Sequence, residues 1–266
     1  MKPMIRYFKA ALFGAMLCVT SAANAGYLVV NNDEWTLTNF GFGQSPSAGT
    51  FINNITNLFT GDQPGSFLAY STNFGLTGSS LANAVIGAGH TWTVTTAPAF
   101  NLANIQGYDA VFLSGSIGGS YVNQQVVIDY LLGGGNVYIA AGTGNGGAVA
   151  EANAWNQVLA TAGLSFQGSY NGIGGNVAPV GPHPLLAGVS TLYFNNGNTV
   201  LDLAPLDDDG QILFALNGQG MLALGQYGAL PPPSEFSPPG VVPEPAALII
   251  LGLGLIGLGF SKRKRA

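Results

Sequence analysis

The chain has 266 residues, 47% of them hydrophobic and only 7% charged, with seven Lys and Arg against twelve Asp and Glu and a net charge of -5. All seven basic residues sit at the ends: Lys2, Arg6 and Lys9 at the start, then Lys262, Arg263, Lys264 and Arg265 at the finish. Between them nothing can neutralise a phosphate or form a Lys or Arg ion pair, which argues against nucleic acid as a partner.

The first residues, MKPMIRYFK, are basic, AALFGAMLCV is apolar, and Ala23-Asn24-Ala25 is a small-residue exit. This is the pattern of an export signal over residues 1–25, cut by signal peptidase after Ala25. A retained N-terminal anchor is the competing reading, but the apolar run is shorter than the ~20 residues a bilayer span needs. Cys18 is the only cysteine and leaves with the peptide. The mature chain then has no disulfide and no Cys-ligated metal.

Residues 26–228 are long enough for one domain with its own core. The charges from there to the linker are acidic alone: Asp33, Glu34, Asp62, Asp109, Asp129, Glu151, Asp202, Asp207, Asp208, Asp209 and Glu235. YLVVN (27–31) reads as a short buried strand. AGTFINNITNLFTG follows, with Phe51, Ile52, Ile55, Leu58 and Phe59 at helical spacing and Gly61 as its stop. Next come the strand SFLAYS, the helix SSLANAVIGAG and the strand HTWTVTT. Then come the strand DAVFLS, the helix YVNQQVVIDYLL with Ser120 as N-cap, and the strand NVYIAA. After the helical AVAEANAWNQVLATAG, short strands TVLDLA, QILFAL and GMLALGQY are joined by Asp-Gly and Asn-Gly turn signals. Strands alternating with helices imply a mainly parallel sheet covered on both faces, with a hairpin at one edge.

The phrases LANAVIGAGHTWTV, NIQGYDAVFLSGS, VVIDYLLGGGNVYIAAGTGNG, HPLLAGV and GQILFALNGQGMLALGQYG, in that order, resemble the class I glutamine amidotransferase-like superfamily. The resemblance spans roughly residues 27–228 and implies a three-layer α/β, flavodoxin-like fold. Enzymes of that superfamily carry a cysteine nucleophile in a Gly-x-Cys-x-Gly turn. The corresponding stretch here is Gly142-Thr143-Gly144-Asn145-Gly146, which puts glycine at the nucleophile position. Thr143 is the neighbouring hydroxyl and would need a base, for which His90 and His183 are the candidates. The glutamate that follows a catalytic histidine in the enzymes is replaced by Leu185. The resemblance therefore implies a scaffold without the superfamily's chemistry.

Gly142, Gly144 and Gly147 also fit Gly-x-Gly-x-x-Gly between a strand and a helix, but no acidic residue about 20 positions on is present to hold a ribose. A turn packing helix against strand is the plainer reading. Asn31, Asn32, Asp33 and Glu34 follow the first strand at the end where open α/β sheets bind ligands. Asp33 and Glu34 are therefore candidate ligand or calcium residues, with a solvated acidic turn as the alternative. Asp207-Asp208-Asp209-Gly210 lacks the alternating spacing of a calcium loop and reads as a hairpin turn.

Beyond Gly228 the segment ALPPPSEFSPPGVV (229–242) is a proline-rich spacer, extended at about 3.1 Å per residue. It leads to Val242-Pro243-Glu244-Pro245, an apolar stretch from Ala246 to Phe260, and the basic Lys262, Arg263, Lys264 and Arg265. Residues 243–266 thus resemble a PEP-CTERM sorting signal, the substrate tag of bacterial exosortases. The resemblance implies a transient transmembrane helix in the inner membrane of a Gram-negative-type bacterium, with the basic tail held cytoplasmic by the positive-inside rule. A permanent anchor would not require the Pro-Glu-Pro.

These features lead to the expectation of an exported, exosortase-processed surface or secreted protein, non-enzymatic and associated with exopolysaccharide or biofilm matrix. Trp35, Trp92 and Trp155 are candidate sugar-stacking residues, or else core residues. The alternatives are an exported hydrolase with an unrecognised site and an ice- or surface-binding protein, the latter without the repeat that such a face requires.

Overall fold

The structure is a computed structural model that describes residues 26–205 and 209–227. The signal-peptide residues Ala23 and Ala25, the linker 229–242 and the sorting signal with its transmembrane segment lie outside the described residues, as do Asp207 and Asp208. Among the described residues no helix is long and apolar enough to cross a membrane.

In chain order the strands are β1 (Gly26–Asn31), β2 (Ser66–Ala69), β3 (Thr91–Val94), β4 (Ala110–Ser114), β5 (Asn136–Ala140), β6 (Leu164–Tyr170), β7 (Gly174–Val177), β8 (Leu192–Asn195), β9 (Asn198–Asp202), β10 (Gly210–Leu216) and β11 (Gln219–Tyr227). The helices are α1 (Asn39–Gln44), α2 (Ala48–Thr60), α3 (Phe74–Thr77), α4 (Ser79–Gly87), α5 (Leu102–Ile105), α6 (Gln124–Leu132) and α7 (Ala148–Ala160), with 3-10 turns at Glu34–Leu37 and Pro184–Leu186.

Nine strands form one mixed sheet in the order β3-β2-β4-β5-β1-β11-β9-β6, with β10 paired to β11, while β7 and β8 make a separate ribbon. The first five strands run parallel. Their side chains are apolar on both faces because helices cover both. Val29, Phe112 and Tyr138 face a core shared with Phe51, Ile55 and Phe59 of α2. Leu28, Val30, Val111 and Ile139 face a second core shared with Leu131 of α6 and with Trp155 and Val158 of α7. The result is the mixed α/β, three-layer arrangement expected from the alternation of elements.

The C-terminal part is more antiparallel than a single edge hairpin. β11 lies alongside β1 from Gly26↔Tyr227 to Asn31↔Leu222, and β10, β9 and β6 extend the sheet antiparallel. A flavodoxin order, 2-1-3-4-5, has β1 between β2 and β3. Here β1 lies between β5 and β11, so the strand order departs from the one that the amidotransferase resemblance implies. Strand order depends on which distant edges pair, and phrase order along the chain does not encode it.

Most expected elements are present within a few residues. Gly61 ends α2 with φ 60°, the left-handed cap that a glycine adopts without penalty. Asn217-Gly218, with φ 51° and 76°, turns β10 into β11. Ser120, however, does not cap the next helix: it bridges to Ile117, and α6 starts after Asn123, whose side chain accepts from Gln125 N. An Asn two positions before the first free amide outcompetes a more distant serine. Phe112 is the hub of one core, with ring centroids 4.9 Å from Trp92, 5.1 Å from Tyr138, 6.0 Å from Phe67 and 6.1 Å from Phe59. Phe112→Ala should cost about 3–5 kcal/mol in urea unfolding. A loss under about 1 kcal/mol would mean that this face is not packed as described.

Candidate functional site

β1 and β5 are adjacent and parallel, yet the helices that follow them cover opposite faces of the sheet. Their carboxyl ends therefore form the switch point of the sheet, the position at which open α/β sheets bind ligands. The loop after β1 carries Asp33 and Glu34, as expected. The loop after β5 is Gly142 to Gly147, and it brings in a third carboxylate, Glu151 in the first turn of α7.

All three carboxylates are buried, with Asp33 and Glu151 at 0% and Glu34 at 3% exposure. Without Lys or Arg in this part of the chain, each is met by N–H or O–H donors. Asp33 Oδ1 accepts from Trp35 N at 2.8 Å and so caps the 3-10 turn, and its Oδ2 accepts from Asn195 N at 2.5 Å. Glu34 accepts from the Asn73 side-chain amide. Asn73 in turn caps α3 by accepting from Gly75 N at 2.7 Å. Glu151 accepts from Gly142 N at 3.1 Å, from Thr143 N at 2.5 Å and from the Thr143 hydroxyl. The acidic pair thus ties its own turn to β8 and to α3, while Glu151 closes the glycine loop. The oxygens that a calcium ion would need from Asp33 are engaged by backbone N–H groups.

Desolvation outweighs these hydrogen bonds. Burial pushes the Asp33 carboxyl up to about 6, against the lowering effect of Trp35 N and Asn195 N and with a smaller upward push from Glu151. Burial likewise pushes Glu34 up to about 8, opposed by Asn73 and assisted by the negative charges of Asp33 and Glu151. Glu151 is raised by burial and lowered by Thr143 and Gly142. Burial and the nearby Glu151 raise Tyr121, and they raise Tyr170 to about 12, so both phenols stay neutral.

The glycine loop turns sharply, with φ 73° at Gly142 and 70° at Gly144. Glycine occupies its tip, and the neighbouring Thr143 hydroxyl is held by Glu151 rather than by a histidine. His90 Nδ1 accepts from Gly65 N at 3.0 Å and its ring packs on Phe67. His183 Nδ1 accepts from Leu185 N at 3.2 Å and caps the turn at Pro184–Leu186. His90 thus ties the start of β3 to the residue before β2, His183 caps its own turn, and the structure does not bring either to Thr143. The dinucleotide reading also fails here, because Glu151 already takes the loop N–H groups that a pyrophosphate would use. Asp209, in the other acidic turn, accepts from Gln226 N through its backbone carbonyl. Of the three tryptophans, Trp155 is a core residue and Trp92 packs on Phe112, while Trp35 reaches the surface.

Sequence reasoning located Asp33 and Glu34 by their place after β1 but passed over Glu151 and Asn73. The signal for Glu151 is an acid in the first turn of the helix that opens from the glycine loop. Asn73 has the weaker signal of an Asn preceding a short helix.

A comparison with protein families matches the PEP-CTERM protein-sorting motif at residues 241–264. That motif marks an exported surface protein processed by exosortase, held by a C-terminal membrane anchor before processing. No curated protein and no solved structure matches the chain.

The raised carboxyls have a signed consequence. Below about pH 4.5 Glu34 is protonated whether the chain is folded or not. From there to about pH 8 the folded protein keeps a proton that the unfolded chain releases. The stability this contributes at acidic pH is therefore lost as pH rises through that window. Tm should fall by at least ~3 °C between pH 5 and pH 8.5, and Glu34→Gln, which keeps an acceptor for Asn73, should flatten the decline. A Tm that rises with pH over this range would contradict the burial of Glu34.

Proposed function

We propose that the chain is a non-enzymatic matrix protein. Signal peptidase frees it at Ala25, it stays in the inner membrane of a Gram-negative-type bacterium through residues 246–260, and exosortase then cuts it near Pro243-Glu244-Pro245. Its body associates with exopolysaccharide at the cell surface or in the biofilm. The observation that carries this reading is the sorting motif at residues 241–264. The body supports it through glycine at position 144 and through the separate local roles of both histidines. Under this reading the domain uses the carboxyl edge of its sheet for recognition rather than turnover.

Replacing Pro243-Glu244-Pro245 with alanines leaves the apolar run unchanged, so a permanent anchor is indifferent to it. A processed tail instead accumulates uncut in the membrane fraction. Intact-mass measurement should show the extracellular protein ending before the apolar segment, and the triple-alanine form retaining it. The full tail on the mature surface protein would overturn the reading.

The Thr143 hydroxyl bonded to Glu151 is the one arrangement that favours a hydrolase instead. Glu151 also accepts from two loop amides, which makes it a clamp for the loop under the binding reading. The purified protein should release no ammonia from glutamine. Ammonia release that disappears in Thr143→Ala would shift the assignment to the hydrolase.

A further inference from the structure

Above the acidic clamp the surface carries four aromatic rings. The Trp35 ring lies 5.0 Å from Phe74, 5.8 Å from Phe40 and 6.5 Å from Tyr193, and Phe40 lies 5.0 Å from Tyr193, all edge to face. Phe40 is 49% and Phe74 46% exposed, and Trp35 and Tyr193 are half-buried. Four large rings from three separate stretches of chain meet at the surface, where a folded domain gains least from them.

Their bases are fixed by the hydrogen bonds of the acidic residues and of Thr38. Asp33 holds the amide of Trp35 and the amide two residues past Tyr193. Glu34 holds Asn73, next to Phe74. Thr38 Oγ1 accepts from Gly41 N at 2.8 Å, beside Phe40. The rings are thus placed before any ligand arrives, which lowers the ordering cost of binding. The bordering polar groups are the exposed amides of Asn39 and Asn176. Asn39 Oδ1 accepts from Ser80 N, which leaves its Nδ2 for a ligand to use. Asn176, across from Tyr193 in the β7 and β8 ribbon, donates from Nδ2 to Gln44 O, which leaves its Oδ1 as the acceptor on offer.

We infer that this aromatic platform is the binding surface for a neutral glycan. Pyranose rings present C–H faces that lie on aromatic rings and hydroxyls that amides, the Trp35 indole N–H and the Tyr193 hydroxyl can bond. Charge selects among the occupants. No Lys or Arg occurs between residues 26 and 228, so an anionic polysaccharide or an anionic lipid surface meets only negative charge. A second copy of the body brings the same sign and is repelled. A neutral, hydroxyl-rich partner with apolar faces escapes both penalties. This deepens the matrix reading above by naming the class of glycan and its place on the domain.

The test is affinity electrophoresis of the full chain, purified in detergent, through gels containing a soluble β-glucan, dextran or galactomannan, with alginate as the anionic counterpart. At least one neutral polymer should retard the chain. Trp35→Ala and Phe74→Ala should each weaken that retardation roughly tenfold or more with Tm little changed, while Trp35→Phe keeps part of it. The platform is refuted if no neutral polymer retards the chain, if Trp35→Ala weakens retardation by alginate as much as retardation by the neutral polymer, or if both alanine variants bind as the unaltered chain does; the basic residues at the two ends hold alginate whatever stands at position 35. Retention on phosphatidylcholine vesicles that Trp35→Ala abolishes would assign the rings to lipid and equally overturn the inference. Loss of glycan binding by a chain whose tail is still processed leaves the sorting reading standing. Glycan binding by a chain whose tail is never cut leaves the platform standing.

Discussion

A domain that buries carboxyl groups without a single Lys or Arg to pair with them can surround them with N–H and O–H donors or leave them protonated. Stripping water from an ionised carboxyl costs several kcal/mol, and each charged hydrogen bond returns about 1.5–3 kcal/mol. The balance at the carboxyl edge of the sheet is close, and burial wins at Asp33 and Glu34, whose carboxyls are pushed up to about 6 and about 8. The same hydrogen bonds decide the shape of the edge. Asp33 joins the turn after β1 to β8, Glu34 joins it to α3 through Asn73, and Glu151 folds the glycine loop back onto α7. Close backbone contacts reinforce this arrangement: a Cβ on Gly197 would lie 1.9 Å from the Asn32 carbonyl oxygen, and one on Gly142 would lie 3.0 Å from Gly197 Cα.

Chemistry and recognition are separated by this arrangement. In the glycine loop the Gly142 and Thr143 amides and the Thr143 hydroxyl are taken by Glu151. A few residues away, the loops clamped by Asp33 and Glu34 hold Trp35, Phe40, Phe74 and Tyr193 at the surface. Under the binding reading, the acidic pair acts on a ligand through the rings that it positions. An uncharged and aromatic surface on a uniformly acidic body is suited to a neutral partner, and the sorting motif at residues 241–264 places that body outside the cell.

The alternation of strands and helices was legible because the parallel strands are continuous apolar runs and α2 has strict helical spacing with a glycine stop. β6, β7 and β8 were not: GGNV has almost no side chain to read, LYFN is only four residues long, and the alternation of LSFQ breaks at Gly168. Strand order was also out of reach: the pairing of β1 with β11 joins the two ends of the domain, and no local pattern announces it. At the site, Asp33 and Glu34 were visible from their position after the first strand. Glu151 was hidden inside an ordinary helix, and the aromatic platform was hidden because Tyr193 meets Trp35 only after the whole sheet has formed.

Carbon-13 NMR titration of the Glu34 side-chain carboxyl in the folded protein tests this account most directly. It reads the balance between burial and hydrogen bonding at the residue on which the clamp depends. A midpoint well above 6, moving with the environment of Asn73 when that residue is changed to alanine, is the predicted result. A midpoint near 4.5 that ignores Asn73 would show a solvated carboxylate, and the acidic clamp would not exist.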